Sequence, residues 1–291
     1  MSLRSLFITA SKTIPFYFCR QHTCLLPHSI IFTFLPSFFS LHSVFYYFSF
    51  YRSINKIMKT VLITGANRGI GLETARQMGK LGYAVIVGSR NAAQGEAAVK
   101  QLQSEGITHV ESVELDVTSD ESVKKAYETV HAKHAHLDVL INNAGLRLFN
   151  KKEGGQVELE NVMECMNVNL ISVIRVTNQF LELVKAAPEG RIVNLSSFMG
   201  SLTLHPCGIA DFPYNVSKTA LNMYTVNLAD ALKDTKVKVN SGHPGWVQTE
   251  MGGEGAELPV SEGAETSVYL ATLPADGPTG EFFFKKERLP W

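Results

Sequence analysis

From Val61 onward, six short apolar runs, largely β-branched, alternate with segments that are each long enough for a helix. The runs are residues 61–63, 84–87, 113–117, 139–141, 192–195 and 237–239. Runs apolar on both faces suit strands buried on both sides, and helical crossovers between them are what parallel pairing requires. The intervening segments 70–80, 94–104, 122–134, 159–186, 216–233 and 262–272 repeat apolar residues every three or four positions, as helices packed on a sheet do. The alternation predicts one α/β domain, a doubly wound parallel sheet with helices on both faces.

Composition marks where that domain begins. Residues 1–57 contain no Asp or Glu, five basic residues and ten of the seventeen Phe, and the first acid of the chain is Glu73. The remaining residues, 58–291, hold 22 basic against 27 acidic residues, a formal charge of −5. A basic nucleic-acid-binding protein is thereby excluded, and no nucleic-acid partner is expected. Three readings of residues 1–57 stand. The stretch is an unstructured leader or mis-chosen start upstream of Met58, an organelle-targeting segment, or a membrane anchor. Pro27 and Pro36 and three His oppose a continuous spanning helix there. The domain proper is read as 58–291, and a cytoplasmic location is expected unless the extension targets the chain elsewhere. Cys19, Cys24, Cys165 and Cys207 have neither disulfide-framework nor zinc spacing. No metal is expected.

Between the first run and the first helix lies Thr64-Gly65-Ala66-Asn67-Arg68-Gly69-Ile70-Gly71. Gly65 permits a tight turn, Gly69 permits backbone to approach a pyrophosphate, and Gly71 lets helix pack close to strand. The helix N-terminus then offers N–H groups to phosphate; the spacing is not the G-x-G-x-x-G of the familiar dinucleotide fingerprint, and a tight strand-to-helix connection is the alternative reading of the turn. Asp116-Val117, Asn142-Asn143-Ala144-Gly145 and Asn194-Leu195-Ser196-Ser197 end three later runs with polar or small residues. Three such endings converge on the carboxyl edge of the sheet, where doubly wound folds bind ligands. The second run ends in Ser89-Arg90, with no acid before Glu96. NAD-selective folds place an acid there for the ribose 2′-hydroxyl, whereas Arg suits a 2′-phosphate, so Arg90 with Arg68 predicts NADP(H).

Tyr214-Asn-Val-Ser-Lys218 puts Tyr and Lys on one helical face. The order TGANRGIG, NNAG, NLSSFMG, YNVSK and His243-Pro-Gly-Trp-Val247-Gln-Thr249 resembles the short-chain dehydrogenase/reductase family, with the C-terminal segment similar to its carbonyl-reductase-like members. The resemblance covers essentially all of 58–291. It implies reduction of an aldehyde or ketone, or the reverse alcohol oxidation, with NADP(H). It implies Tyr214 as general acid, Lys218 as the cation that tunes it and holds the nicotinamide ribose, and Ser197, with Ser196 as the alternative, as the hydroxyl on the substrate oxygen. Asn169, in preference to Asn167, would hold a water between Lys218 and solvent. The cofactor would meet Gly65, Asn67, Arg68, Gly69, Ile70, Gly71 and Arg90. Asp116 with Val117 would meet its adenine, Asn143 its adenosine ribose, and Val247 and Thr249 its carboxamide. Ser197 and Tyr214 stand farther apart than is usual in the family, so residues 205–213 form an altered rim. A homodimer or homotetramer stays open, and so does a catalytically silent dinucleotide-binding scaffold, which would have no need of a proton donor beside a cation.

Overall fold

The computed structural model describes residues 23–25, 31–33, 58–204 and 208–291. The chain divides into two units, Met1–Ile57 and Met58–Trp291. In the first unit, strands β1 (Thr23–Leu25) and β2 (Ile31–Thr33) pair antiparallel. The leader, targeting and anchor readings otherwise fall on residues outside those described.

The second unit runs β3 (Thr60–Thr64), α1 (Gly69–Lys80), β4 (Ala84–Ser89), α2 (Ala92–Ser104), β5 (Val110–Glu114), α3 (Asp120–His131) and β6 (Val139–Asn142). It continues through α4 (Leu159–Met166), a π turn over Asn167–Ile171, α5 (Ser172–Lys185), β7 (Arg191–Leu195), α6 (Phe212–Ala231) and β8 (Lys238–His243). The chain then forms α7 (Val260–Gly263), α8 (Glu265–Ala271), β9 (Phe282–Phe284) and β10 (Glu287–Leu289). One sheet takes the order β10-β9-β8-β7-β6-β3-β4-β5, parallel throughout except for the β9–β10 pair. This is the α/β Rossmann-type sheet that the alternating runs predict.

Alternate residues of each strand feed two cores. Leu62, Ile86, Leu140, Ile192 and Val239 pack on one face with Val123, Ala126, Val176, Phe180 and Leu183 of α3 and α5. Val61, Ile63, Val85, Val87, Val139 and Ile141 pack on the other with Ala75, Met78, Ala98, Leu102 and Leu270 of α1, α2 and α8. Both faces of the central strands are thus removed from water, which is why the runs read as continuously apolar. Caps begin two of the helices where the apolar spacing starts. Asn91 Oδ1 accepts from Gln94 N at 3.0 Å ahead of α2, and Ser119 Oγ accepts from Ser122 N at 3.2 Å ahead of α3.

Three expectations are corrected in position. The third strand is Val110–Glu114 rather than 113–117. It is the edge of the sheet, half-buried, so Glu111 and Glu114 interrupt its apolar pattern, and Glu111 pairs with Lys133 and His134. Segment 159–186 is not one regular helix, because the π turn at Asn167–Ile171 divides it. The last strand of the six runs on to His243 through polar Asn240 and Ser241, buried by side-chain hydrogen bonds rather than by apolarity.

Winding reverses between β3 and β6, neighbours in the sheet that lead to opposite halves. The glycine turn after β3 and the Asn-Ala-Gly turn after β6 therefore meet at the switch point where such sheets open a crevice.

Candidate active site

The glycine turn is held by its neighbour across that crevice. Asn143 Nδ2 donates to Thr64 O at 2.8 Å and to Gly65 O at 3.2 Å, while Asn143 N and Ala144 N donate to Thr64 Oγ1 at 2.9 and 3.0 Å. Gly65 and Gly69 adopt φ of +63° and +56°, a region that Gly enters without penalty. A Cβ on Gly71 would lie 2.5 Å from Asn143 Nδ2 and 2.6 Å from Gly65 O. Helix α1 starts at this turn with no side-chain cap and no acid in its first turn. Its N–H groups and dipole are thus open to an anion. Asn67 bonds Gln94 at 2.9 Å, and Ile70 O accepts from Thr74 Oγ1.

Arg90, exposed at the end of β4, lies near Asp116, whose carboxyl is held below its usual range by Thr118 and, more weakly, by the positive charge of Arg90. Asp116 Oδ1 closes a turn on Thr118 N and Oγ1 at 2.9 and 2.7 Å, and Val117 O accepts from Arg175. Arg68 reaches the other way, across the crevice, to an ion pair with Glu250. The exposed guanidinium groups of Arg68 and Arg90 are therefore not gathered into one clamp in this state. Val247 bridges to Leu258, and the Thr249 side chain faces Gly69, so the loop after β8 lies over the glycine turn.

Tyr214 stands in the first turn of α6 and is 8% exposed. Burial pushes its phenol up to about 12, against the neighbouring Ser197 hydroxyl and the positive charge of Arg147, which lower it. Lys218, one turn on, has its ammonium 5.6 Å from the Tyr214 ring centre and donates to Leu195 O at 2.7 Å. Burial holds the Lys218 amine down to about 8. The two adjacent serines diverge. Ser197 lies beside Tyr214, its Oγ accepting from Met199 N at 3.2 Å, whereas Ser196 Oγ donates to Asn222 Oδ1 at 2.6 Å.

Asn169, fully buried in the π turn, is close to Lys218 but has no free side-chain donor. Its amide nitrogen donates to Leu146 O at 2.7 Å and Ser217 Oγ at 2.9 Å, and its Oδ1 accepts from Leu146 N at 2.8 Å. Gly145 fits between, since a Cβ there would lie 3.3 Å from Asn169 Oδ1 and 3.7 Å from Lys218 Nζ.

The polar strand ends separate into two sets. Asn142, Asn194 and Ser241 sit side by side in register across β6, β7 and β8. They form a buried network in which Asn142 donates to Asn194 and Thr177, Asn194 donates to Thr225, and Thr225 pairs with Ser241. That inner set holds strands to helices, whereas Asn143 bonds the glycine turn, Asp116 closes its own turn on Thr118 and Ser197 lies beside Tyr214. Sequence reasoning missed Arg147 and placed Asp211 only within the altered rim of 205–213. The Arg147 guanidinium lies 5.8 Å from the Tyr214 ring centre and 4.9 Å from that of Phe149, bonded to Asp211. Its position two residues past the Asn-Ala-Gly turn was the available signal. Of the altered rim, residues 205–207 lie outside those described, and Gly208 leads into a short turn over Ile209–Asp211 that enters α6.

A profile described as short chain dehydrogenase matches residues 59–257. The chain belongs to that family. An NADPH carbonyl reductase 1 of Bos taurus is 31% identical over 274 residues, which span 79% of this chain and 97% of the relative. A (+)-neomenthol dehydrogenase of Capsicum annuum is 29% identical over 302 residues, covering 78% and 95%. Among solved structures, NADPH-bound carbonyl reductase from chicken fatty liver superposes with a TM-score of 0.71 at 28% identity, covering 80% of this chain and 99% of that one. Salutaridine reductase from Papaver somniferum gives 0.70 at 26%, covering 78% and 99%. Family members thus match over nearly their whole length. Among the described residues, no helix is long and apolar enough to cross a membrane, and no group of three or more metal-ligating side chains converges.

Proposed function

We propose that this short chain dehydrogenase is an NADPH-dependent carbonyl reductase that converts a small aldehyde or ketone to an alcohol, with Tyr214 as the proton donor. The observation that carries the reading is Tyr214 itself, a buried phenol beside Ser197 and one turn from Lys218, in a chain whose relatives include NADPH carbonyl reductases. The glycine cradle fits a dinucleotide. Its turn leaves no room for a Cβ at Gly71 and presents the uncapped end of α1, while Arg90 supplies positive charge where a 2′-phosphate would be met. Gly65, Asn67, Gly69, Ile70 and Gly71 would hold the pyrophosphate, Asp116, Val117 and Asn143 the adenosine end, and Val247 and Thr249 the nicotinamide end. When bound, the cofactor supplies the hydride.

The protein's own part is a proton and a fixed geometry. Burial keeps Tyr214 protonated at neutral pH, the state from which a phenol can donate to a carbonyl oxygen as that oxygen gains electron density. Ser197 would share that oxygen and hold it in line. Lys218 would contact the nicotinamide ribose and stabilise the phenolate left behind. Because the Asn169 side chain is committed to Leu146 and Ser217, a water returning protons through Lys218 would hang on its main-chain carbonyl in the π turn, a distortion that recurs at functional sites.

Loss of NADPH absorbance with a panel of aldehydes and ketones tests the reading. Replacing Tyr214 by Phe should lower kcat by about 10²- to 10⁴-fold while the NADPH Kd stays nearly constant. A wild-type protein that binds NADPH yet consumes none across the panel would leave a dinucleotide-binding scaffold. A Tyr214→Phe variant retaining more than about a tenth of activity would remove Tyr214 from the chemistry.

A further inference from the structure

Five polar or charged groups face Tyr214, each from a different place in the fold. Ser197 follows β7, Cys165 lies on α4, Asp211 immediately precedes α6, Lys218 is on α6, and Arg147 lies between β6 and α4. Arg147 is anchored from three sides. Asn169 clamps both backbone groups of Leu146, the residue before it. Nε and Nη2 of Arg147 donate to one oxygen of Asp211 at 3.2 and 2.7 Å. Asn150 N donates to Ala210 O at 2.7 Å, tying the segment that carries Arg147 to the one that carries Asp211.

We infer that Arg147 is a positioning residue for Tyr214, a permanent cation held over the phenol by Asp211 that eases formation of the phenolate. The inference rests on the proposed role of Tyr214 as proton donor and adds to it a second, pH-independent source of positive charge. A guanidinium does not deprotonate in proteins, so its field persists at every pH the fold survives. Lys218 differs. Its ammonium is tied to Leu195 O and its amine is held down to about 8, so its charge is lost in weak alkali. Above that pH, Arg147 is the cation that remains beside Tyr214. Asp211 works against it in sign, since a carboxylate at the head of α6 disfavours phenolate, but it also fixes the guanidinium in place.

The opposite signs of the two partners give the test. Arg147→Met, Arg147→Lys and Asp211→Asn are each titrated for phenolate by ultraviolet difference absorbance, each against the same variant carrying Tyr214→Phe. The pH profile of kcat/KM for alcohol oxidation is measured alongside. Arg147→Met should move Tyr214 ionisation to higher pH, and Asp211→Asn, whose amide oxygen can still accept from the guanidinium while the carboxylate charge is gone, should move it lower. Arg147→Lys should stay close to wild type. An ion pair that serves only to hold the loop would be broken by either variant with the same outcome. Shifts in the same direction, or no shift from either, would therefore overturn the inference. The two readings fail separately. An inactive Tyr214→Phe protein with no shift from Arg147→Met sinks only the Arg147 role, and opposite shifts with an active Tyr214→Phe protein sink only the proton-donor role.

Discussion

Single atoms decide whether the crevice exists. Gly71 begins the first full turn of α1 against the turn that precedes it, and an added methyl would meet Asn143 Nδ2 at 2.5 Å, Gly65 O at 2.6 Å and Ala66 Cα at 2.9 Å. Two of those atoms are backbone and cannot swing aside. Gly71→Ala should therefore destabilise the fold by about 1–3 kcal/mol and weaken NADPH binding by at least about tenfold. Gly82→Ala is the control. Gly82 also has a positive φ, +85°, but nothing within 4 Å, so backbone strain of about 1 kcal/mol is expected with cofactor affinity unchanged. Fluorescence titration with NADPH checks both, and equal Kd values for Gly71→Ala and wild type would show that the turn tolerates the methyl. The glycine spacing was legible in the sequence because each glycine's need is local. Arg147 was not, since its meaning depends on Asp211, 64 residues away, arriving at the head of the same helix as Tyr214.

At the scale of elements, the legible part was whatever is buried on two faces. β3, β6 and β7 are buried along their whole length and were found within a residue of their ends, whereas edge strand β5 was displaced by its solvent-facing Glu residues. The π turn in 159–186 leaves the apolar spacing intact on either side, so periodicity passed over it. The β9–β10 hairpin was invisible because each strand has three residues, too few for a period. Yet the two residues just past that hairpin reach the segment that follows Ser197. Trp291 stacks on buried Phe282 with ring centres 5.6 Å apart, its carbonyl accepts from Thr203 N at 3.1 Å, and Pro290 O accepts from Ser201 Oγ at 2.8 Å. The segment just past Ser197 is thereby braced by the end of the sheet. Trp291→Ala should lower stability by about 1–2 kcal/mol in urea unfolding. It should also raise KM more than it lowers kcat, because Tyr214 and Lys218 are held by α6 and not by the hairpin. An unchanged KM would separate the hairpin from the substrate side.

The whole molecule is two units, and the family match lies in the second apart from its last residues, 258–291. The Bos taurus relative is covered over 97% of its length by 79% of this chain. A chain beginning at Met58 should therefore unfold at the same temperature as the full chain and turn over carbonyls equally fast; loss of a cooperative transition would make residues 1–57 part of the fold. Within that second unit, His243 links stability to pH. It ends β8 between the rings of Phe198 and Phe284, with centres 4.9 and 5.2 Å away, and is 8% exposed. Burial holds its imidazole down to about 4, from an ordinary 6.5. Between those values the unfolded chain binds a proton that the native state refuses. The stability contributed by a neutral His243 is thus complete above pH 6.5 and falls as pH drops, by up to about 3 kcal/mol near pH 4. Below that the native ring is charged as well and the loss stops growing. Carboxylates titrate in the same window, so the difference between proteins carries the information. His243→Phe keeps an aromatic ring between Phe198 and Phe284 and removes the titration. Its melting temperature should decline less steeply than that of wild type from pH 6.5 to 4.5, with the curves converging or crossing as pH falls. Parallel curves over that range would mean that His243 takes up its proton in the native state as readily as in the unfolded chain.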